Sequence, residues 1–241
     1  MTRQAPAPTH PRLGRVQEYL KQIVYGGTDG IVTTFAIVAG FAGAQAEGVA
    51  EVGAIAVLLF GLANLFADGV SMGLGEFLSL RAQHDLYRAR RAEERRRSCE
   101  TPDQQAARLA EILRGKGLSP QDAAEASGIF TRHPDVMAEM ILAEETGLRD
   151  PDGESPARNG SFTFAAFITF GAVPLIPYLL FEATAATTQL SILATGVALV
   201  LLGLLRWHAS GERLWRSVGE TVLVGTVCAV VAFGVGWIVG G

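Results

Sequence analysis

Apolar residues gather in five blocks, at about 31–46, 52–67, 162–181, 190–207 and 217–239. Each is near the roughly 20 residues a helix needs to cross the hydrocarbon of a bilayer. The second block does not stop at 67. It continues to 80 as FGLANLFADGVSMGLGEFLSL, beginning at Phe60, with Asn64, Asp68, Met72 and Glu76 at every fourth position. A step of four residues turns an α-helix through about 400°, so these side chains form one slowly drifting stripe roughly 18 Å long. A carboxylate facing lipid costs on the order of 3 kcal/mol or more, so such residues face a bundle interior or a water-filled cavity and mark an ion route. The competing reading is an amphipathic helix in a soluble core.

Composition separates the two readings. The chain has 241 residues, 49% of them hydrophobic, with 28 glycines and a positive mean hydropathy. This fits a small polytopic membrane protein with five crossings. Residues 1–22 carry Pro and basic side chains without an apolar run, so they are expected to be a disordered basic segment and not a cleaved signal peptide. With five spans, the loops on one side are 1–22, 81–159 and 206–216, and they hold all 20 Lys and Arg. The other side receives Glu47, Glu51 and Glu182. The positive-inside rule then places the N-terminus and the long loop in the cytoplasm and the C-terminus outside. Trp207, Trp215 and Trp237 sit near span ends, where tryptophan anchors in the interface or simply packs.

The long loop, 81–159, reads as a small helical cytoplasmic insert between spans two and three, flanked by spans 23–80 and 160–241. Thr101-Pro102, Ser119-Pro120 and Pro134 open helical pieces, and Gly115, Gly117 and Gly147 close them. There is no phosphate-binding Gly loop, metal-spaced Cys/His cluster or nucleophile motif, so an ATP-driven pump or other enzyme is not expected. The run Arg88–Arg97 contains Glu93 and Glu94, and the insert lacks an overall basic face, so no nucleic-acid partner is expected; the run reads as solvated surface or lipid contact. Among scattered histidines only His84, just past span two, is placed to help metal arrive or protons leave, and a surface role is the alternative. Cys99 and Cys228 are not expected to pair. Glu220, near the start of span five, is expected to snorkel to water or to pair with Arg213 or Arg216.

Span one begins YGGTDGIVTTFAIVAGFAGA, with Asp29 at its entry followed by Thr33 and Thr34. Gly26 and Gly30, like Gly69 and Gly73, have the spacing that lets membrane helices pack closely. Together with the carboxylates they suggest that spans one and two approach each other and bring Asp29 near the stripe. Pro174 and Pro177 should kink span three, either freeing carbonyls toward a cavity or only packing.

The segments DGIVTTFAIVAG (29–40) and ADGVSMGLGEFLS (67–79), an acidic helical insert, the Pro174-x-x-Pro177 span and a glycine-rich last span together resemble the vacuolar iron transporter family, over nearly the whole chain. The resemblance implies a five-span protomer that forms a homodimer in the lipid bilayer. Metal then passes between the first and second helices of the two subunits, and proton exchange drives export of Fe²⁺ or Mn²⁺ from the cytoplasm. No cofactor is bound permanently; the metal is substrate and H⁺ the coupling ion. Asp29 resembles the first-span pathway aspartate, Met72 the second-span methionine and Glu76 the glutamate that follows it. With Thr33, Asn64 and Asp68 these residues are the expected transport path. Carboxylate oxygens accept many divalent ions, and an added thioether favours transition metals over Mg²⁺ and Ca²⁺.

The insert departs from the family pattern. There the first two insert helices each offer a Glu-x-x-Glu pair and the last offers Met and Glu. Here the pairs read Glu94 with Arg97 and Gln105 with Arg108, while Glu145 is retained beside Glu144. Arginine cannot ligate a cation, so a full metal cluster is not expected. Glu94, Glu100, Glu111, Met137, Met140, Glu144 and Glu145 remain as a weaker candidate site, against a purely structural, dimerising domain. The expected function is metal export, with a membrane-anchored metal sensor or scaffold as the alternative. A bacterial inner membrane is the expected location.

Overall fold

The computed structural model describes residues 19–44, 50–151, 153–182 and 184–240. The expected tail before residue 19 and Glu47 lie outside the described residues, as does the Glu51 side chain. Among the described residues the chain is all-helical: α1 (Leu20–Ala44), α2 (Ala50–Glu100), α3 (Pro102–Gly115), α4 (Pro120–Phe130), α5 (Pro134–Thr146), α6 (Pro156–Gly171), a 3₁₀ turn (Val173–Leu175), α7 (Ile176–Leu180), α8 (Ala185–Ser210) and α9 (Leu214–Gly240). Five segments are long and apolar enough to cross a membrane: Leu20–Ala44, within Ile55–Glu100, Pro156–Leu180, Ala185–Ser210 and Leu214–Val239. The chain divides into two compact units, Leu78–Pro156 and the remainder.

In the membrane-type unit, α1 is held on its glycine side by α6. A Cβ on Gly26 would lie 2.6 Å from the Thr163 carbonyl, and one on Gly30 would strike the Phe167 backbone. Gly69 and Gly73 of α2 meet the same helix from their own side, against Ile168 and Phe164. The glycine pairs therefore do not seat α1 on α2. Each lets α6 approach its own helix, and the fully buried Phe167 shares a core with Phe35, Val38, Leu65 and Leu175. Lipid tails are as apolar as these side chains, so tight packing, and not removal from water, is what favours this contact.

The prolines break the third span as expected. α6 ends at Gly171, a 3₁₀ turn follows, and α7 resumes at Ile176. Pro177 has no N–H with which to make the helical bond to the Val173 carbonyl four residues back. The adjacent Pro174 carbonyl accepts the hydroxyl of fully buried Ser191 on α8, at 2.6 Å. The break is thus used for packing at this carbonyl. α8 starts at a Thr184–Thr187 capping box and ends at Gly211, whose φ of 69° favours glycine. α9 then returns along α8, where Ser217 donates to the Gly203 carbonyl at 3.0 Å. Glu220 pairs with Arg216 at 3.0 Å, and with Arg206 of α8 at 2.9 Å where Arg213 was the other expectation.

The second unit contains the end of α2 and helices α3–α5. Pro102, Pro120 and Pro134 each occupy the first turn of a helix, where a missing N–H costs nothing. The Ser119 hydroxyl accepts from the Asp122 N–H at 3.1 Å, and α5 stops at Gly147 with φ 71°. Leu109, Leu113, Ala123, Met137 and Ile141 form the core.

Candidate ion pathway

Asn64, Asp68, Met72 and Glu76 are all half-buried on α2. On one side of them run the buried positions Val57, Gly61, Leu65, Gly69 and Gly73. The exposed apolar Ile55, Leu59, Phe66, Val70 and Leu74 occupy the opposite part of the helix surface. The stripe therefore sits at a boundary and is directed at α1.

One hydrogen bond and one electrostatic neighbour indicate the register between these helices. Gln22 Nε2 donates to Glu76 Oε1 at 3.3 Å, and Asp68 lies close enough to Asp29 for the two carboxylates to interact electrostatically. Moving seven residues forward on α1 matches moving eight backward on α2, which is an antiparallel pairing. One further turn brings Thr33 level with Asn64. Gln22, Asp29 and Thr33 lie within about 20° of one helical line, since seven and eleven residues are close to two and three turns. The seam thus joins two matched polar stripes.

The individual environments differ. Thr33 turns its hydroxyl back to the Asp29 carbonyl at 2.8 Å, satisfying it within the helix. Met72 packs at the edge of the Phe35–Phe167 core. Asn64 lines a cleft of about 640 Å³ whose other walls are apolar, from Ile37, Phe41, Phe60 and Val235 among others, so polarity fades past this residue. Gln22 is only 5% exposed, and its Oε1 has no hydrogen-bond partner. Sequence reasoning ended the N-terminal segment at residue 22 and so missed this side chain. Its position seven residues before Asp29 is the signal that finds it.

The residues of the second unit do not gather in this way. Met137 is fully buried in the apolar core and Met140 packs against that core. Glu144 pairs with Lys116 at 2.6 Å, Glu94 with Arg108 at 2.5 Å, and Glu145 also with Arg108. Glu100 faces Arg96 at 3.7 Å. Among the described residues no three His, Cys, Asp or Glu side chains form a group able to hold a metal ion. His84 is half-buried with its Nε2 unpartnered, in a cleft with Arg88, Arg91 and Arg95.

Comparison with known proteins addresses the chain as a whole. The model of the VIT family matches residues 20–237. "Vacuolar iron transporter 1" of Arabidopsis thaliana is 30% identical over 217 residues, covering 90% of this chain and 84% of the relative. The protein of the same name from Eucalyptus grandis is 30% identical over 90% of this chain and 85% of its own length. "Vacuolar iron transporter" of Toxoplasma gondii is 32% identical over 228 residues, 91% of this chain and 74% of that protein. With a family match that spans both polar stripes and all five membrane-type segments, the chain belongs to the VIT family, whose members are transporters and not enzymes.

Proposed function

We propose that this membrane protein carries Fe²⁺, and also Mn²⁺, out of the cytoplasm in exchange for protons. The observation that carries the reading is the seam in which Gln22, Asp29 and Thr33 of α1 run alongside Asn64, Asp68, Met72 and Glu76 of α2, inside segments apolar enough to span a bilayer. The names of the relatives in Arabidopsis and Toxoplasma support iron as cargo. Asp29, Asp68 and Glu76 supply oxygen ligands, and Met72 adds a soft sulfur that favours Fe²⁺ over Mg²⁺ and Ca²⁺. Ligands must be deprotonated to hold a cation, so an arriving ion displaces protons and a departing one lets them return. That linkage makes exchange possible without a separate energy source.

The stripe borders the exposed apolar face of α2. Two copies meeting along this face enclose the seam from the open side, which is the dimeric path the reading requires. Charge sorting supports a cytoplasmic N-terminus and second unit, with the C-terminus outside; the membrane proposed for it is a bacterial inner membrane. Glu76 and Gln22 then form the cytoplasmic mouth and Asn64 the deep end.

Purified protein in liposomes tests the proposal. Fe²⁺ uptake should rise when the liposome lumen is acidic, so that protons leave as Fe²⁺ enters, and slow when the gradient is collapsed, and Asp29→Asn should reduce uptake by about tenfold or more. Uptake indifferent to the gradient rejects the exchange, and uptake indifferent to Asp29→Asn rejects the path.

A further inference from the structure

Two carboxylates of the second unit, Glu94 and Glu145, converge on one arginine. Arg108 of α3 donates from Nη1 to Glu94 Oε1 of α2 at 2.5 Å and to Gln105 Oε1 at 3.1 Å. Its Nε donates to Glu145 Oε1 of α5 at 2.5 Å, and its Nη2 to the other oxygen of the same carboxylate. One guanidinium therefore ties three helices. The Glu94 side chain is only 8% exposed. A carboxylate at such a depth needs a cation beside it, because an unpaired buried charge is far costlier than a paired one. Arg97 stands nearby at 3.9 Å, but it is directed first at Glu93, at 3.0 Å. The hydrogen bonds donated to Glu145, with the nearby Glu94 charge, hold the Arg108 proton more firmly than usual.

We infer that Arg108 is the resident cation of the second unit: it fills the one place where the oxygens of Glu94, Gln105 and Glu145 converge, and so closes that place to divalent metal. The acceptors are all hard oxygens, the set that suits Mn²⁺ or Mg²⁺ when no fixed charge stands between them. Guanidinium satisfies the same oxygens with five donors, never deprotonates at physiological pH and cannot itself ligate. The second unit consequently folds without metal, and metal supply does not alter it. Removing the guanidinium opens a latent oxygen site.

Mn²⁺ titration of the full-length protein in detergent, with free Mn²⁺ read by its paramagnetic resonance signal, tests the assignment. Four proteins are compared: wild type, Glu94→Gln, Arg108→Gln and the double variant. Any Mn²⁺ held in the membrane path contributes equally to all four. Wild type and Glu94→Gln should bind the same amount; Arg108→Gln should gain one saturable site, and the double variant should lose it. A site lost from the wild type on Glu94→Gln overturns the inference, as does a folded Arg108→Gln protein that gains none. Should Arg108→Gln fail to fold, the wild-type and Glu94→Gln pair decides: equal binding supports the assignment and a lost site overturns it. This outcome is independent of transport, so it stands or falls apart from the exchange reading.

Discussion

Met72 differs chemically from its neighbours on the seam, as a thioether among carboxylates and amides. Met72→Leu conserves volume and apolar packing, a change that costs less than about 1.5 kcal/mol in a packed site. It removes only the soft ligand. The expected result in liposomes is that Fe²⁺ uptake falls by about tenfold, the scale seen when a ligand set loses one supporting group, while uptake of the harder Mn²⁺ falls less. Equal loss for both metals places Met72 in the packing of the Phe35–Phe167 core and not in selection. The stripe was legible in the sequence because a carboxylate inside an apolar run breaks the background, and its period of four is helical. Gln22 was not, because it is neutral and stands where the basic N-terminal segment gives way to the apolar run. The Arg108 arrangement was half legible: the departure from paired glutamates was visible, but its bonds to Glu94 and Glu145 span 14 and 37 residues of sequence and needed the fold.

At the level of helices, glycine spacing correctly marks close approach but does not name the partner. Gly26, Gly30, Gly69 and Gly73 all meet α6, so the two polar stripes face each other across a seam left by helices that α6 holds from behind. Small residues read in one dimension cannot distinguish a direct pair from two contacts to a third helix. Gly73 and Gly75 give a matched test. A Cβ at Gly73 would stand 2.9 Å from Phe164 Cβ and 3.0 Å from the Gly160 carbonyl, whereas one at Gly75 meets nothing within 4 Å. Gly73→Ala should lower the thermal midpoint in detergent, reflecting an overpacking cost of about 1–3 kcal/mol. Gly75→Ala should leave it unchanged or raise it, since alanine is favoured over glycine in a helix interior by about 1 kcal/mol. The reverse order rejects α6 as the support of α2. Helix ends in the second unit were more legible, because Pro at a first turn and Gly in a left-handed C-terminal position act locally.

Across the whole molecule, the five-span reading rests on apolar surface that water would not tolerate. Along α9, Leu223, Val227, Val230, Val231, Val235 and Ile238 are all exposed, and Trp215 and Trp237 project outward near its two ends. Such a helix is stable only with lipid or another apolar surface around it. Element lengths and charge placement made this architecture legible, because both follow directly from the bilayer as solvent. Sidedness rests on the charges alone, and the two free cysteines allow it to be measured. Cys99 is exposed in the second unit, while Cys228 is half-buried on α9. In a Cys228→Ser background, a membrane-impermeant maleimide should label Cys99 in inside-out inner-membrane vesicles and leave it unlabelled in intact cells. Labelling only in intact cells inverts the topology, and with it the direction of transport: Glu76 then opens to the outside, and the same seam becomes an entry route.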